Sequence, residues 1–234
     1  MKELPIFFKG PLVRAILDGS KTQTRRTKGL EYFSKPENDT EGWHCSRVRD
    51  GVAYFYYRNS PQEREVVCPH GKPGDRLYVR ETWAQPTTLD PGPTIYRADY
   101  PDCVPPDYID VPPADEVVWR PSIHMPKALA RINLEVTGLH VQRLQAISEV
   151  DAQAEGVFTD DQRPMEHLQE NRSMCETCLG TGLYTYHSMA GACPDTDCTD
   201  CDTSQKRFAH LWLSTGGDWD ANPFVWVIEF RRVE

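Results

Sequence analysis

The chain has 234 residues, of which 39% are hydrophobic, and a formal net charge of −9 at pH 7. The acidic balance argues against a protein that grips the DNA backbone, and the apolar runs are too short for a membrane span or a signal peptide. We therefore expect a cytoplasmic protein with one sizeable core and at most a small appendage.

The first part of the chain contains well-marked local signals. Residues 11–18 are predicted to form a short amphipathic helix, because the apolar side chains recur at helical spacing and Gly19 suits the C-terminal cap. Residues 22–26 follow as a strand. Further on, a β-hairpin is predicted to turn at Asp50 and Gly51.

The middle of the chain is predicted to contain two strands and a helix. Residues 72–81 have the proline and glycine of a tight turn, followed by a strand. A long strand is predicted over residues 130–141, with a bulge at Gly138, where the apolar alternation shifts phase. Ser148 begins a helix, and Asp151 three residues later forms a weaker version of the capping box.

The remaining predicted elements are a short strand at residues 94–98, helices over residues 164–172 and 204–213, and a closing strand over residues 224–230. Several strands with few helices are typical of an α+β fold. We expect a small mixed β-barrel with flanking helices.

Three segments resemble motifs of a known family: residues 19–26 (GSKTQTRR), 73–79 (PGDRLYV) and 227–230 (VIEF). The first is similar to the Gly-x-Lys-Thr-x-Thr-x-Arg signature of ASCH domains, which belong to the PUA-like superfamily. The second resembles the Gly-Asp turn and strand of that family, and the third resembles its closing strand.

Other short segments resemble the larger phage and prophage ASCH proteins, namely residues 80–83, 119–126 and 219–223. The resemblance covers most of residues 5–158 and 205–232. We accordingly expect a single domain over residues 1–234 that carries two insertions, a hairpin insertion at about 31–67 and a cysteine-rich insertion at about 173–203.

The resemblance implies a PUA-like β-barrel with a cleft for nucleobases or RNA. It also implies an activity similar to that of amidohydrolases that remove the acetyl group from N(4)-acetylcytidine. In those enzymes the reaction is carried by a lysine and a threonine of the signature and by a glutamate on the helix after the long strand. The matching residues are Lys21, Thr24 and Glu155, and Glu149 on the same helix is the alternative for the glutamate.

Amide hydrolysis requires a nucleophile, a base and a proton for the leaving amine. Thr24 offers the nucleophilic hydroxyl, and Lys21 acts as the base if burial lowers its pKa. Glu155 holds the lysine or passes the proton to the amine, while Arg26 or Thr22 binds the oxyanion or the ring carbonyl. Strand positions 21 and 24 point to opposite faces, so these side chains meet only if Lys21 still lies in the turn.

The same residues also have structural interpretations. Lys21 is then an ordinary surface lysine after a helix cap, Thr24 is a strand threonine, and Arg25 and Arg26 belong to a solvated sheet edge. A functional role for the lysine requires a perturbed environment, which is an observation that only a structure provides.

Three aromatic residues are further candidates for binding the substrate: Trp83, Trp119 and His124. The indole rings are able to stack on a base, although the alternative is a place in the core or at the barrel mouth. A lone histidine is more often structural.

Two C-x-x-C pairs, Cys175 with Cys178 and Cys198 with Cys201, are separated by 19 residues, a spacing expected of a zinc ribbon. Four thiolates form a closed site, so the expected zinc is structural and not catalytic. Cytoplasmic thiols stay reduced, which makes disulfides the weaker interpretation. Cys193 is a spare ligand, and a loop with free cysteines is the alternative. Three other cysteines fit no known pattern: Cys45, Cys68 and Cys103.

Three functional hypotheses follow. The first is an amidohydrolase that acts on an N-acylated cytosine nucleoside or related base, the second is a PUA-like binder of RNA or modified nucleotides without turnover, and the third is a ribonuclease. Residues 1–100 hold 16 basic and 13 acidic side chains, whereas residues 101–234 hold 10 and 22. The acidic second part, without a long basic stripe, favours a small ligand over a polymer. The sequence does not indicate an oligomeric state.

Overall fold

The structure is a computed structural model that describes residues 1–35, 42–58, 60, 62–85, 92–108, 110–157 and 199–233, together with the backbone of four two-residue strands between positions 183 and 197. In these residues no helix has both the length and the apolar content that a membrane crossing requires. The helix predicted at residues 164–172 and most of the cysteine-rich insertion lie outside the described residues.

The described strands are β1 (Glu3–Phe7), β2 (Gln23–Arg26), β3 (Trp43–Arg49), β4 (Val52–Tyr57), β5 (Glu63–Val67), β6 (Arg76–Arg80), β7 (Trp83–Ala84), β8 (Ile95–Tyr96), β9 (Asn133–Arg143), β10 (Leu183–Tyr184), β11 (His187–Ser188), β12 (Gly191–Ala192), β13 (Thr196–Asp197) and β14 (Phe224–Val233). The α-helices are α1 (Gly10–Leu17), α2 (Glu149–Ala154) and α3 (Ser204–Ser214). Short 3-10 helices occur at Glu31–Ser34, Ser122–His124, Lys127–Leu129 and Leu144–Ala146.

The largest sheet has five strands in the order β1-β6-β9-β14-β2. The β1–β6 pair is parallel, and the other three pairs are antiparallel. The α+β class is therefore confirmed, but the strands described form open sheets and not the closed barrel that the sequence predicted. The edge strands β1 and β2 approach each other through a side chain, because Arg26 Nη2 donates to the Phe7 carbonyl at 3.0 Å.

The predicted bulge in β9 is confirmed. The register of β9 on β14 pairs Gly138 with Glu229 and then Val136 with Phe230, so one residue of β9 is left over. A Cβ atom on Gly138 would overlap the Glu229 carboxylate, and the absent side chain is what allows this close approach.

The predicted hairpin and helix cap are confirmed as well. Asp50 and Gly51 have φ values of 51° and 82° between β3 and β4, as a two-residue hairpin turn requires. The Ser148 side chain accepts from the Asp151 N–H, and the Asp151 carboxylate accepts in return from Ser148, which completes the capping box at α2.

The three-stranded sheet β3-β4-β5 shares its core with the five-stranded sheet. Phe55 on β4 stacks on Phe33 with ring centroids 3.9 Å apart and lies edge-on to Phe224 of β14 at 5.1 Å. The described part of the predicted hairpin insertion is therefore packed into the main hydrophobic core by burial of aromatic surface.

Candidate functional site

Lys21 lies in the turn between α1 and β2, and its side chain is fully buried. The backbone holds it there, because its N–H donates to the Ala15 carbonyl at 2.8 Å and the residue forms an isolated β-bridge with Glu155. The interpretation of Lys21 as a surface lysine is wrong. Lys21 precedes β2 and is not part of it, so the requirement that Lys21 lies in the turn and not in the strand is met.

The Lys21 ammonium donates three hydrogen bonds, to the Gln23 carbonyl at 2.7 Å, to the Glu155 carbonyl at 2.8 Å and to Glu155 Oε2 at 2.5 Å. Burial lowers the pKa of Lys21 to about 8, although the nearby Glu155 carboxylate opposes this shift. The side chain is therefore an ammonium for most of the time at neutral pH, with an accessible neutral form.

Glu155 is shared between two cations. Its Oε1 lies 3.2 Å from Arg25 Nη1, and Arg25 Nη2 lies 3.5 Å from the Asp151 carboxylate. Arg25 is only 1% exposed, so its interpretation as a solvated edge is wrong. Two cations and two carboxylates thus form one cluster, which we call the Glu155 cluster: Lys21, Arg25, Asp151 and Glu155. The charges of its members balance.

The alternative glutamate, Glu149, has a different role. Its carboxylate accepts hydrogen bonds from the backbone N–H groups of Ser204 and Gln205, at 2.7 and 3.1 Å, and so caps the first turn of α3. The resemblance left open which of two glutamates, Glu149 or Glu155, partners the lysine. In the structure Glu155, at the C-terminal cap of α2, contacts Lys21.

Thr24 is fully buried, and its Oγ1 accepts from Arg26 Nη1 at 2.8 Å. It shares no hydrogen bond with Lys21 in the described part of the chain. The ring of Phe8 lies near both cations of this region, 5.5 Å from Lys21 Nζ and 5.1 Å from the Arg26 guanidinium carbon. Burial lowers the pKa of Arg26. Arg26 therefore covers the proposed nucleophile.

A cavity of about 470 Å³ adjoins these residues, between the end of β1, the start of α1, β2 and the C-terminal end of α3. We call it the β2–α3 cavity. Its lining residues are mainly apolar, basic or hydroxyl-bearing, and no carboxylate is among them: Phe7, Phe8, Lys9, Leu12, Arg25, Arg26, Thr27, Ser122, Trp212, Thr215, Gly216 and Gly217. A smaller cavity of about 50 Å³ shares Arg25, Arg26 and Trp212 with it and is also lined by Glu155.

The other candidate substrate-binding residues lie elsewhere, because none of them lines the β2–α3 cavity. Thr22 and His124 are exposed. Trp83 is buried under the guanidinium of Arg120, 5.0 Å from its ring. Trp119 packs edge-on to Tyr100 in a second small core. The structure thus brings together Lys21, Glu155 and Arg26 but not these four.

Of the four cysteines predicted to bind zinc, Cys201 is described, and its side chain is buried. The other three lie outside the described residues: Cys175, Cys178 and Cys198. Within the described ranges no group of three or more histidine, cysteine or acidic side chains has an arrangement suited to a metal ion. The unassigned cysteines at positions 45, 68 and 103 therefore belong to no such group among the described residues.

Sequence reasoning missed Arg25 and Trp212 as site residues. Arg25 is adjacent to the motif residue Arg26, but its burial depends on Glu155, which is 130 positions away in the chain. Trp212 lies on α3 and lines the cavity together with the β2 residues Arg25 and Arg26. Neither role has a local signal in the sequence.

The chain was compared with models of protein families, with curated proteins and with solved structures. No match was found in any of the three comparisons.

Removing the shared carboxylate will destabilise the fold more than removing one of its cations. Glu155→Ala leaves Lys21 and Arg25 buried without that counter-ion, and we expect the free energy of unfolding to fall by about 3–5 kcal/mol. Lys21→Met leaves the Glu155–Arg25 pair in place and will cause a smaller loss. Urea denaturation measures both, with the exposed Glu116→Ala as a control that should change stability by less than about 0.5 kcal/mol. Equal losses in the two cluster variants would contradict this prediction.

Proposed function

We propose that this protein is an ASCH-type amidohydrolase that removes an acyl group from the exocyclic amine of a cytosine nucleoside or a related base. The observation that carries the proposal is the fully buried Lys21 amine, 2.5 Å from the Glu155 carboxylate and close to a cavity of small-molecule size. A PUA-like architecture is part of the same proposal. It is supported by the order of the motifs and by the position of the signature segment at the edge of the mixed sheet.

The reaction uses four side chains. The neutral Lys21 amine takes the proton of the Thr24 hydroxyl as Oγ1 attacks the acyl carbon. The Arg26 N–H that donated to Oγ1 then donates to the developing oxyanion. The C–N bond then breaks, and the proton passes from Lys21, with Glu155 as its partner, to the departing amine. Water hydrolyses the acyl-Thr24 ester, which releases the carboxylic acid and restores the hydroxyl.

One observation favours the alternative of a binder without turnover. All three N–H groups of the Lys21 ammonium donate hydrogen bonds to protein oxygens, and Thr24 is fully buried, with its hydroxyl bonded to Arg26. In the binding alternative this arrangement stays as it is, and the protein recognises RNA or a modified nucleotide with the β2–α3 cavity alone.

Turnover of N(4)-acetylcytidine distinguishes these two functions. We expect the wild type to release cytidine, measured by chromatography, and Lys21→Ala and Thr24→Val to lower kcat by about 100-fold or more, because each removes a reacting group. Thr137→Val, which changes an exposed threonine on β9, is the matched control and should retain full activity. Activity that survives both site substitutions would contradict the assignment. Micromolar nucleoside binding without turnover in the wild type would favour the binder.

The rate should rise with pH because the base is a neutral amine. We expect kcat/KM to increase through an apparent pKa of about 8 and then level off, as the buried Lys21 loses its proton. The Glu155 carboxylate raises the pKa of Lys21, so Glu155→Gln should move the rising limb to lower pH while it reduces the maximal rate. The profile is measured against an enzyme-free blank at each pH. A limb that stays in place in Glu155→Gln would show that another group titrates.

We also propose that the cysteine-rich insertion binds a structural zinc ion through Cys175, Cys178, Cys198 and Cys201. The donor set is four thiols, which is the chemistry of closed zinc sites. The antiparallel pairing of β10 with β13 supports the proposal, because it brings together the two ends of the segment that separates the two cysteine pairs. The ion would stabilise the fold of the insertion and takes no part in the reaction.

Metal analysis of purified protein tests the zinc proposal. We expect about one zinc ion per chain in the wild type and a large loss in both Cys175→Ser and Cys198→Ser, because each removes one thiolate of a four-ligand site. Cys45→Ser is the control and should keep its zinc, because Cys45 lies on β3. Equal and negligible zinc in all four proteins would overturn the proposal.

A further inference from the structure

Two cations that line the β2–α3 cavity, Lys9 and Arg26, form no ion pair among the described residues, in a chain whose net charge is −9. Arg26 donates only to neutral oxygens, those of Thr24, Arg25 and Phe7. Lys9 donates to the Ser214 carbonyl at 3.0 Å, which leaves two of its N–H groups for another acceptor. In the part of the chain that is described, no carboxylate lies within ion-pair distance of either side chain. The charged side chains that line the cavity are all basic, namely Lys9, Arg25 and Arg26, so the cavity favours an anionic group at its rim.

The cavity also contains buried donors without acceptors. Arg25 Nε and Trp212 Nε1 have no hydrogen-bond partner among the described residues, although Arg25 is only 1% exposed, whereas Arg25 Nη2 is ion-paired with Asp151. Both side chains line the β2–α3 cavity. A buried donor that stays unpaired is costly, and a ligand with carbonyl or ring-nitrogen acceptors at this depth would remove that cost.

The cavity walls fit a flat ring. Phe8, Leu12 and Trp212 provide apolar surface, and Phe7 at the rim is 42% exposed. The wall around the indole is closely packed, because a Cβ atom on Gly217 would overlap Trp212 Nε1. A base therefore has aromatic and apolar surface on which to lie and donors to recognise its acceptors.

We propose that the substrate of this site is a cytosine nucleotide and not a free nucleoside. The base lies in the β2–α3 cavity, where its O2 and N3 accept from Arg25 and Trp212, and the phosphate monoester binds the Lys9 ammonium at the rim. This inference rests on the proposed function, because it places the acylated amine near the Glu155 cluster. Arg26 stays available for the acyl oxygen.

Calorimetric titration with cytidine, cytidine 5′-monophosphate and cytidylyl-3′,5′-cytidine tests the inference without turnover. We expect the monophosphate to bind the wild type about tenfold more tightly than cytidine. Lys9→Gln should remove that preference. Lys28→Gln, which makes the same change of charge at an exposed lysine outside the cavity lining, should preserve it. Gly217→Ala should weaken both ligands, because it displaces the indole.

Equal binding of cytidine and its monophosphate, absence of binding by both, or equal effects of the two lysine variants would overturn the inference. Tighter binding of the dinucleotide than of the monophosphate would overturn it in favour of a phosphodiester from an RNA strand. These results are independent of the turnover assay. A protein that hydrolyses N(4)-acetylcytidine without a phosphate preference would sustain the proposed function alone. A protein that binds the monophosphate through Lys9 without turnover would sustain the ligand class alone.

Discussion

The buried carboxylate of Glu155 is the interaction on which the site depends. Lys21 and Arg25 both lose their water on folding, and a buried cation is tolerated only when an opposite charge and hydrogen-bond acceptors replace that water. Glu155 provides one carboxylate oxygen to each cation, and its own carbonyl satisfies a further N–H of the lysine. The backbone makes this possible at Gly156, where φ is +85° and a Cβ atom would come within 2.9 Å of Ala15 Cβ. A larger residue would push the end of α2 away from α1.

This balance explains why a chain with a large negative charge can have a cationic cavity. The carboxylates of Asp151 and Glu155 are engaged by Arg25 and Lys21. Among the described residues Arg26, one position further along the strand, donates to neutral oxygens. Net charge therefore says little about the charges that line one cavity, because pairs distant in the chain, such as Lys21 with Glu155, set the local balance.

The sequence predicted those features that depend on residues a few positions apart. The hairpin turn at Asp50, the bulge at Gly138 and the capping box at Ser148 are each set by local backbone preference or by one short-range side-chain contact. The burial of Arg25 could not be predicted in this way, because its partner Glu155 is 130 positions away. The open sheet was missed for the same reason: strand patterns indicate that strands pair, but not whether the two edges close.

Contacts between the helices on either side of the cysteine-rich insertion make the stability of the Glu155 cluster independent of the stability of the insertion. Glu149 on α2 caps the first turn of α3, and the Arg207 guanidinium donates to the Cys201 carbonyl at 2.6 Å. The helices α2 and α3, which precede and follow the insertion, contact each other. Since these contacts hold the two ends of the intervening segment together, the length of that segment adds only slowly to the entropy cost of folding. If the insertion binds the zinc ion proposed above, its loss should consequently affect the insertion while the Glu155 cluster stays intact.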